Sequence, residues 1–317
     1  MATKLSNYPG GFKQGVSLRN LPLFETFAGN VWWVSSTRGA NGNKGTRDKP
    51  FGTLAYAVAS ANSKVVANNG DVIMVMPGHA ETISAAAGIP QNVAGVSVIG
   101  LGTGTTRPVI TLDTANTATY AITAADAYLE NLVFSANFAD IVACITTTKK
   151  GTWINQCEFV NTAVNMNMLT PIKATGTTTA DNDDLRVTNS RWSTVDAADL
   201  EMIEINGTLA RFLCANNSMV TAGTASPMVL VATGKLLLQA DIGWNRLVNA
   251  MTANELFISN DGTTNTGVIH NNYVGHADVT GTHDPGWDGG GFRLFNNQST
   301  SVDNLQGLLI PAADVNL

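Results

Sequence analysis

The chain has 317 residues and a net charge of −6; charged residues make up 13% of it, about half the usual quarter, while apolar residues stand at an ordinary 44%. Thr, Asn, Ser, Ala and Gly must therefore cover the surface, and an acidic chain whose only adjacent basic pair is Lys149-Lys150 is excluded from non-specific binding to nucleic acid or membrane, which needs clustered Lys and Arg. No apolar run is long enough to span a membrane and Met1-Ala2-Thr3-Lys4-Leu5-Ser6-Asn7 has no apolar signal region, so synthesis and folding in a cytosol are expected.

Residues 1 to about 30 hold Tyr8, Phe12, Leu18, Leu21, Leu23, Phe24 and Phe27 among Pro9, Gly10, Gly11, Gly15 and Pro22. The glycines and prolines break any helix, yet the apolar residues are too many for a solvated tail. An extended arm is expected. It buries those side chains either on another subunit, with Tyr8, Phe12, Leu18, Phe24 and Phe27 as contacts, or back along its own chain. Residues 31 to 70 form the next unit: a strand at Val31-Trp32-Trp33-Val34, a loop with Gly39, Gly42, Asn43 and Gly45, and a helix N-capped by Thr53. The helix is expected to run through about Asn68, with Leu54, Ala57, Val58, Ala61, Val65 and Val66 on one face covering the open end of the repeats beyond it.

Residues 71–317 form the third unit, a run of repeats closed by C-terminal loops and a cap. After strands at Val72-Ile73-Met74-Val75 and Val96-Ser97-Val98-Ile99, the stretch Leu129-Glu130-Asn131-Leu132-Val133-Phe134 returns six times in altered form. Each copy is a short apolar run, a polar break containing Asn, and usually a large apolar residue. With Phe134, Phe159, Trp192, Met219, Leu247, Tyr273 and Gln298 as landmarks, the steps are 25, 33, 27, 28, 26 and 25 residues. A repeat of that length with no helical period predicts a β-solenoid, roughly eight rungs from Val72 to Gln298. Each rung lays its strands about 4.8 Å from the last, so inward side chains pile up like on like. Asn at the break answers two needs at a corner: it tolerates φ > 0, and its amide can bond to its stacked neighbour. A parallel α/β fold would need a crossover helix between strands, and segments such as Ala174 to Asp184, rich in Thr, Gly and Asn, cannot supply one.

Cys144, Cys157 and Cys214 lie in apolar runs and read as buried thiols. A catalytic coil would need acids at aligned positions, either around Ca²⁺ beside a basic residue or as a glycosidase pair. Glu130 and Glu158 precede their landmarks by different spacings and do not align. Asp181-Asn182-Asp183-Asp184 reads as an Asx-rich turn, with a Ca²⁺ site as the alternative. His276, Asp278, His283, Asp284 and Asp288 form the most ligand-rich cluster; their spacing matches no zinc motif, so a structural loop is expected, with a loop contact or metal site as the alternative. His79, after Pro77-Gly78, reads as a surface turn residue. No cofactor is expected. The apolar tail Leu305 to Pro311 would cover the far end or meet a neighbouring subunit.

Trp32-Trp33-Val34, Gly42-Asn43-Lys44-Gly45-Thr46, Lys49-Pro50-Phe51-Gly52-Thr53, Gly70-Asp71-Val72-Ile73 and Pro77-Gly78 together look like the N-terminal region of right-handed parallel β-helix proteins of the pectate-lyase-like superfamily. Ser6-Asn7-Tyr8-Pro9-Gly10-Gly11-Phe12 with Gly15-Val16-Ser17-Leu18-Arg19 resembles a group of tailed-bacteriophage and prophage β-helix proteins, a likeness that extends over most of the chain. The resemblance implies a single all-β right-handed parallel β-helix in 71–317, behind the arm and capping helix. It also implies a non-enzymatic virion protein made in the host bacterial cytoplasm. Head decoration or cement is the favoured role, as a homotrimer on the major capsid protein or other virion subunits. The alternative is a tailspike or tail fibre that binds or depolymerises host polysaccharide. Such proteins usually carry extra head-binding and trimerisation domains, for which the chain has no evident room.

Overall fold

The computed structural model describes residues 29–62, 64–176, 180–194, 196–222, 227–249, 257–259, 264–276, 287–288 and 291–299; of 249, 257–259, 276, 287–288 and 299 it describes the backbone alone. The arm residues Tyr8, Phe12, Leu18, Phe24 and Phe27 and the C-terminal tail lie outside it. The described residues form a right-handed parallel β-helix. In each rung the chain runs through a strand of a first sheet, then a second, then a third, and returns to the first. Val72–Val75, Ala80–Ile83 and Ile89–Gln91 are followed by Ser97–Gly100, which pairs with Val72–Val75. The three sheets hold ten, nine and eight strands, every pairing within them is parallel, and parallel crossovers in proteins are right-handed with few exceptions.

Like does stack on like. In the second sheet Ile110, Phe134, Phe159, Trp192, Met219, Leu247 and Val274 form one continuous inward row, all buried. The Phe134 and Phe159 rings lie 5.4 Å apart and 13° from parallel. The first sheet contributes Ile73, Val98, Leu129, Ile154, Val187, Cys214, Ile242 and Ile269 to the same lining. The last two expected landmarks are displaced by one residue. Val274, not Tyr273, continues the inward row, and the one-residue slip turns Tyr273 outward over Arg246.

The corner between the first and second sheets shows why Asn recurs. Asn131, Gln156, Asn189, Asn216, Trp244, Asn271 and Asn296 all have φ between 52° and 61°. The amide ladder is built by the next residue instead. Asn217, Asn245, Asn272 and Asn297 are buried, and each Nδ2 donates to the next Oδ1 at 3.1, 3.1 and 3.0 Å. Each Oδ1 also accepts a backbone N–H from the coil before it, as from Asn217 and Asn245 at 3.0 and 2.9 Å. The two jobs expected of one asparagine are shared between neighbours in these coils, while the left-handed Asn296 also donates its Nδ2 to Asn271 Oδ1, doing both as expected. The first residue's backbone takes the left-handed turn, and the second, turned inward, satisfies backbone groups that the bend leaves without a strand partner.

The N-terminal end departs further from expectation. Val31–Val34 adds a strand to the first sheet by pairing with Val72–Val75. The helix spans only Leu54–Val58, not to Asn68, because Ala59 is already extended at ψ 143°. Thr53 caps it as expected, its Oγ1 accepting from Tyr56 N–H at 3.2 Å. Beyond it, side chains compete successfully for backbone groups. Asn92 Oδ1 takes the Ser60 N–H at 2.6 Å and Asp71 Oδ2 takes that of Val66 at 2.9 Å, holding 59–62 and 64–71 in turns and bends. Val66, placed by periodicity on the buried face, is 50% exposed, whereas Phe51, Leu54, Ala57 and Val58 join the core.

The ladder predicts its own failure mode. Asn245→Ala removes the acceptor of the Asn217 N–H, the donor to Cys214 O and two links of the amide ladder in a buried setting, and is expected to cost about 2–4 kcal/mol in urea unfolding.

Candidate functional site

The predicted ligand cluster is not assembled within the described residues. His276 closes a second-sheet strand, Tyr273–His276, and Asp288 lies in the third-sheet strand Trp287–Asp288, while Asp278, His283 and Asp284 lie outside the described residues. Among the described residues no three His, Cys, Asp or Glu side chains gather as a metal site. Asp181–Asp184 is the expected turn, with Asn182 and Asp184 at φ 66° and 61°. Its acids hold cations of adjacent turns instead: Asp184 Oδ1 binds Arg211 Nε at 2.7 Å and Asp181 pairs with Lys149 at 3.6 Å. The Arg211 guanidinium keeps the Asp184 carboxyl below its ordinary range.

Among the described residues, a concavity runs along the corner between the first and second sheets, under the loop Gly100 to Thr105. Arg107, Glu130, Gln156, Glu158 and Arg191 line it. Register explains half of this set. Glu158 pairs with Val133 below and Arg191 above, one residue before the inward row, so the three side chains stack on the outer face. Glu130 belongs to the first sheet and sits opposite Asn155. The acids are therefore out of alignment as expected, but the corner folds their two sheets around one groove, which linear spacing does not reveal. The adjacency of Glu158 and Arg191 is open to detection, since both sit one position before their landmarks.

Within the groove, Glu158 is held at both oxygens. Glu158 Oε2 takes Arg107 Nη1 at 2.7 Å and its Oε1 takes Arg191 Nη2 at 2.6 Å. Arg107 spends its other donors on Asn131 Oδ1 at 2.8 Å, Leu132 O at 3.1 Å and Gln156 O at 2.7 Å. One guanidinium thus ties together three successive coils, with the planar fork that suits arginine to such a site. As a general base or nucleophile, Glu158 would have to surrender two charge-assisted bonds.

Three other clusters carry titratable groups. His79 is a correction: it is buried, not a surface turn residue, because its Nδ1 accepts from Ser36 N–H at 2.9 Å and its Nε2 meets Glu81 Oε2 at 3.0 Å. Glu81 in turn receives the Leu54 and Ala55 N–H groups, so the pair fastens the helix start to the second sheet. Asp199 and Glu201 are buried in the connection between the second and third sheets. Asn167 and Asn161 donate to Asp199 at 3.2 Å each, and Thr170 Oγ1 to Glu201 at 2.8 Å. Burial outweighs these bonds and lifts both carboxyls to about 7. The three cysteines are buried and unpaired, as expected; burial drives the Cys157 and Cys214 thiols up to about 12 and Cys144 well above the ordinary thiol range.

A final feature lies on the outside of the C-terminal coils. Trp244 is 61% exposed and Phe295 51% exposed. His270 lies between them, stacked on Phe295 at 5.0 Å and 7° and edge-on to Trp244 at 6.4 Å, with its Nε2 2.8 Å from Asp241 Oδ1. Trp244 occupies a left-handed corner position that five other coils give to Asn. The low aromatic content conceals this patch, since most large rings do line the core.

No family model matches the chain, and no curated protein matches it. Among solved structures it is similar to a rhamnogalacturonan lyase, with a TM-score of 0.41 and 14% identity over 88% of this chain and 89% of that one. It is also similar to the GH136 lacto-N-biosidase from Eubacterium ramulus in selenomethionine and native forms. Those TM-scores are 0.25 and 0.23, with 10% and 9% identity over 86% of this chain and 68% of the other. No residue of this chain takes a role from them.

The buried acids set a pH dependence of definite sign. A carboxyl whose folded pKa lies above its unfolded one binds more protons in the native state, so its contribution is complete below the unfolded value and is lost as pH rises through the folded one. Between about pH 4 and pH 7, Asp199 and Glu201 therefore make stability fall. The urea midpoint is expected to drop from pH 5 to pH 8, and Asp199→Asn with Glu201→Gln should flatten that slope; an unchanged slope refutes the assignment.

Proposed function

We propose that the protein is a non-catalytic structural subunit of a bacteriophage particle, a decoration or cement protein bound to the exterior of the head. The observation that carries the non-catalytic part is the corner groove, where Glu158 has both oxygens committed to Arg107 and Arg191 and Arg107 is further bound to three oxygens of the coil wall. That is the wiring of a staple. The virion part is supported by the resemblance of Ser6 to Arg19 to phage β-helix proteins. A stiff rod repeated over a symmetric lattice stabilises it by mass action, since a ligand that binds only the assembled shell raises the shell's resistance to disassembly. The partners are the major capsid protein or adjacent virion subunits, and the expected oligomer is a homotrimer. Mass spectrometry and cryo-electron microscopy of gradient-purified particles from the source should find the chain at repeated sites on the head. Particles made without it should release their genome at lower temperature. Its absence from purified particles refutes the reading.

One observation favours the second reading, a tail spike or fibre adhering to host polysaccharide. Left-handed backbone costs a bulky L residue about 1–2 kcal/mol, and at Trp244 that strain presents an exposed indole beside His270, Asp241 and Phe295. Rings flanked by hydrogen-bonding groups suit the apolar face and hydroxyls of a pyranose. Trp244→Asn, which restores the corner residue of the other coils, should raise stability by about 1 kcal/mol and abolish binding to host capsule or lipopolysaccharide oligosaccharides. Undiminished binding by that variant rules the patch out.

A further inference from the structure

Among the described residues nine large apolar side chains are exposed, and five of them crowd one edge of the second sheet. Val220 stands near the end of the strand Ser218–Thr221; Val142, Val164, Met166 and Leu200 belong to the connections 137–144, 162–171 and 194–202 that lead on to the third sheet. Backbone bonds lay these connections on one another, with Leu169 N–H donating to Ile141 O at 2.8 Å and Leu200 N–H to Leu169 O at 2.9 Å. The exposed side chains therefore form a ridge along the rod. The ridge is also acidic. No Lys or Arg occurs in the connections 113–119, 137–144, 162–171, 194–202 and 222–228, whereas Asp113, Asp140 and Asp196 do, besides the buried Asp199 and Glu201. Asp113, Asp140 and Asp196 make no ion pair among the described residues.

The opposite edge of the same sheet has the complementary character. The first residues of its strands stack outward as Val109, Val133, Glu158, Arg191, Ser218 and Arg246, and Arg107 joins that row by binding Glu158. Three arginines against one glutamate leave this edge two charges positive, and Arg191 and Arg246 are exposed. The sheet thus begins on cations and ends on acids set among aliphatic side chains, as Arg191 and Asp196 do on a single coil. We propose that a second copy of this chain occupies the ridge, parallel to the first and at the same height, with its Arg107, Arg191 and Arg246 edge against Val142, Met166 and Leu200. Ridge on ridge would set Asp against Asp, a like-charge contact that disfavours that pairing. Unlike edges meet when copies are related by rotation about an axis along the rods. Such a rotation needs no shift in height, uses one edge of each kind on every copy and closes as a ring. An apolar patch rimmed by polar groups is the usual mark of a protein contact. The inference rests on the homo-oligomer expected above, but not on its place in a virion.

Analytical ultracentrifugation of the full-length chain and of mixed variants tests it. The wild type is expected to sediment as a closed oligomer of the 33.3 kDa chain. Val142→Asp with Leu200→Asp, both at exposed positions, should raise the dissociation constant about a hundredfold or more, the factor set by two lost aliphatic contacts. Val164→Asp with Met166→Asp repeats the test on the middle connection, and Arg191→Glu with Arg246→Glu breaks the other edge. Far-UV circular dichroism should stay unchanged in all of them, and Val66→Asp, exposed but away from both edges, should leave assembly intact. Mixed in equal amounts, a ridge variant and the arginine variant each keep one sound edge, so two monomers should combine into a complex of two chains. A monomeric wild type, wild-type assembly by the ridge variants, or a mixture that stays monomeric overturns the proposal. The outcome does not depend on whether purified phage particles contain the chain.

Discussion

The constraint on which this molecule depends is that a polypeptide bending sharply at every coil must still satisfy its backbone polar groups. Strands do this along the three sheets, but at the corner between the first and second the ladder is interrupted. In the coils from Asn216 to Asn297, two consecutive residues resolve the interruption. One adopts the left-handed conformation and turns its side chain outward; the next turns inward and supplies the missing donors and acceptors. Once that corner is fixed, the register of both adjoining sheets is fixed with it, because a slip of one residue would exchange lining and surface.

The same corner makes the repeat legible. Asn at the break, followed by a large apolar residue, marks the coil from Phe134 to Leu247 because the physics imposes the same demand each time. Legibility fades where the demand can be met in another way. Trp244 replaces Asn by accepting strain, so the aromatic patch around it does not stand out from the lining rings. The slip at Tyr273 passes unseen because a tyrosine fits an inward row as plausibly as an outward one. Periodicity over-extends the short helix because it counts side chains and not the competing hydrogen bonds from Asn92 and Asp71. His79 is misplaced for a related reason: Pro-Gly signals a turn, but not that the next side chain reaches back into Ser36 and Glu81.

The groove residues illustrate a limit of linear reading. Arg107 and Glu158 are 51 residues apart and come from different coils, and what brings them together is the stacking distance rather than any spacing in the sequence. The result is a set of residue types that would look catalytic as an inventory: two acids, two arginines and two amides around a cleft. For one of the two acids, Glu158, the bonding pattern supports a structural role. A charge already held at both oxygens by guanidiniums consolidates the wall in which it sits.

The buried sulfurs have a practical corollary. With every native thiol sealed in the lining and held protonated far above neutrality, maleimide chemistry would find no background target on the folded rod. A lone surface cysteine introduced on any coil could then carry a fluorophore or gold cluster at known height along the axis, turning the protein into a molecular ruler for whatever assembly it joins.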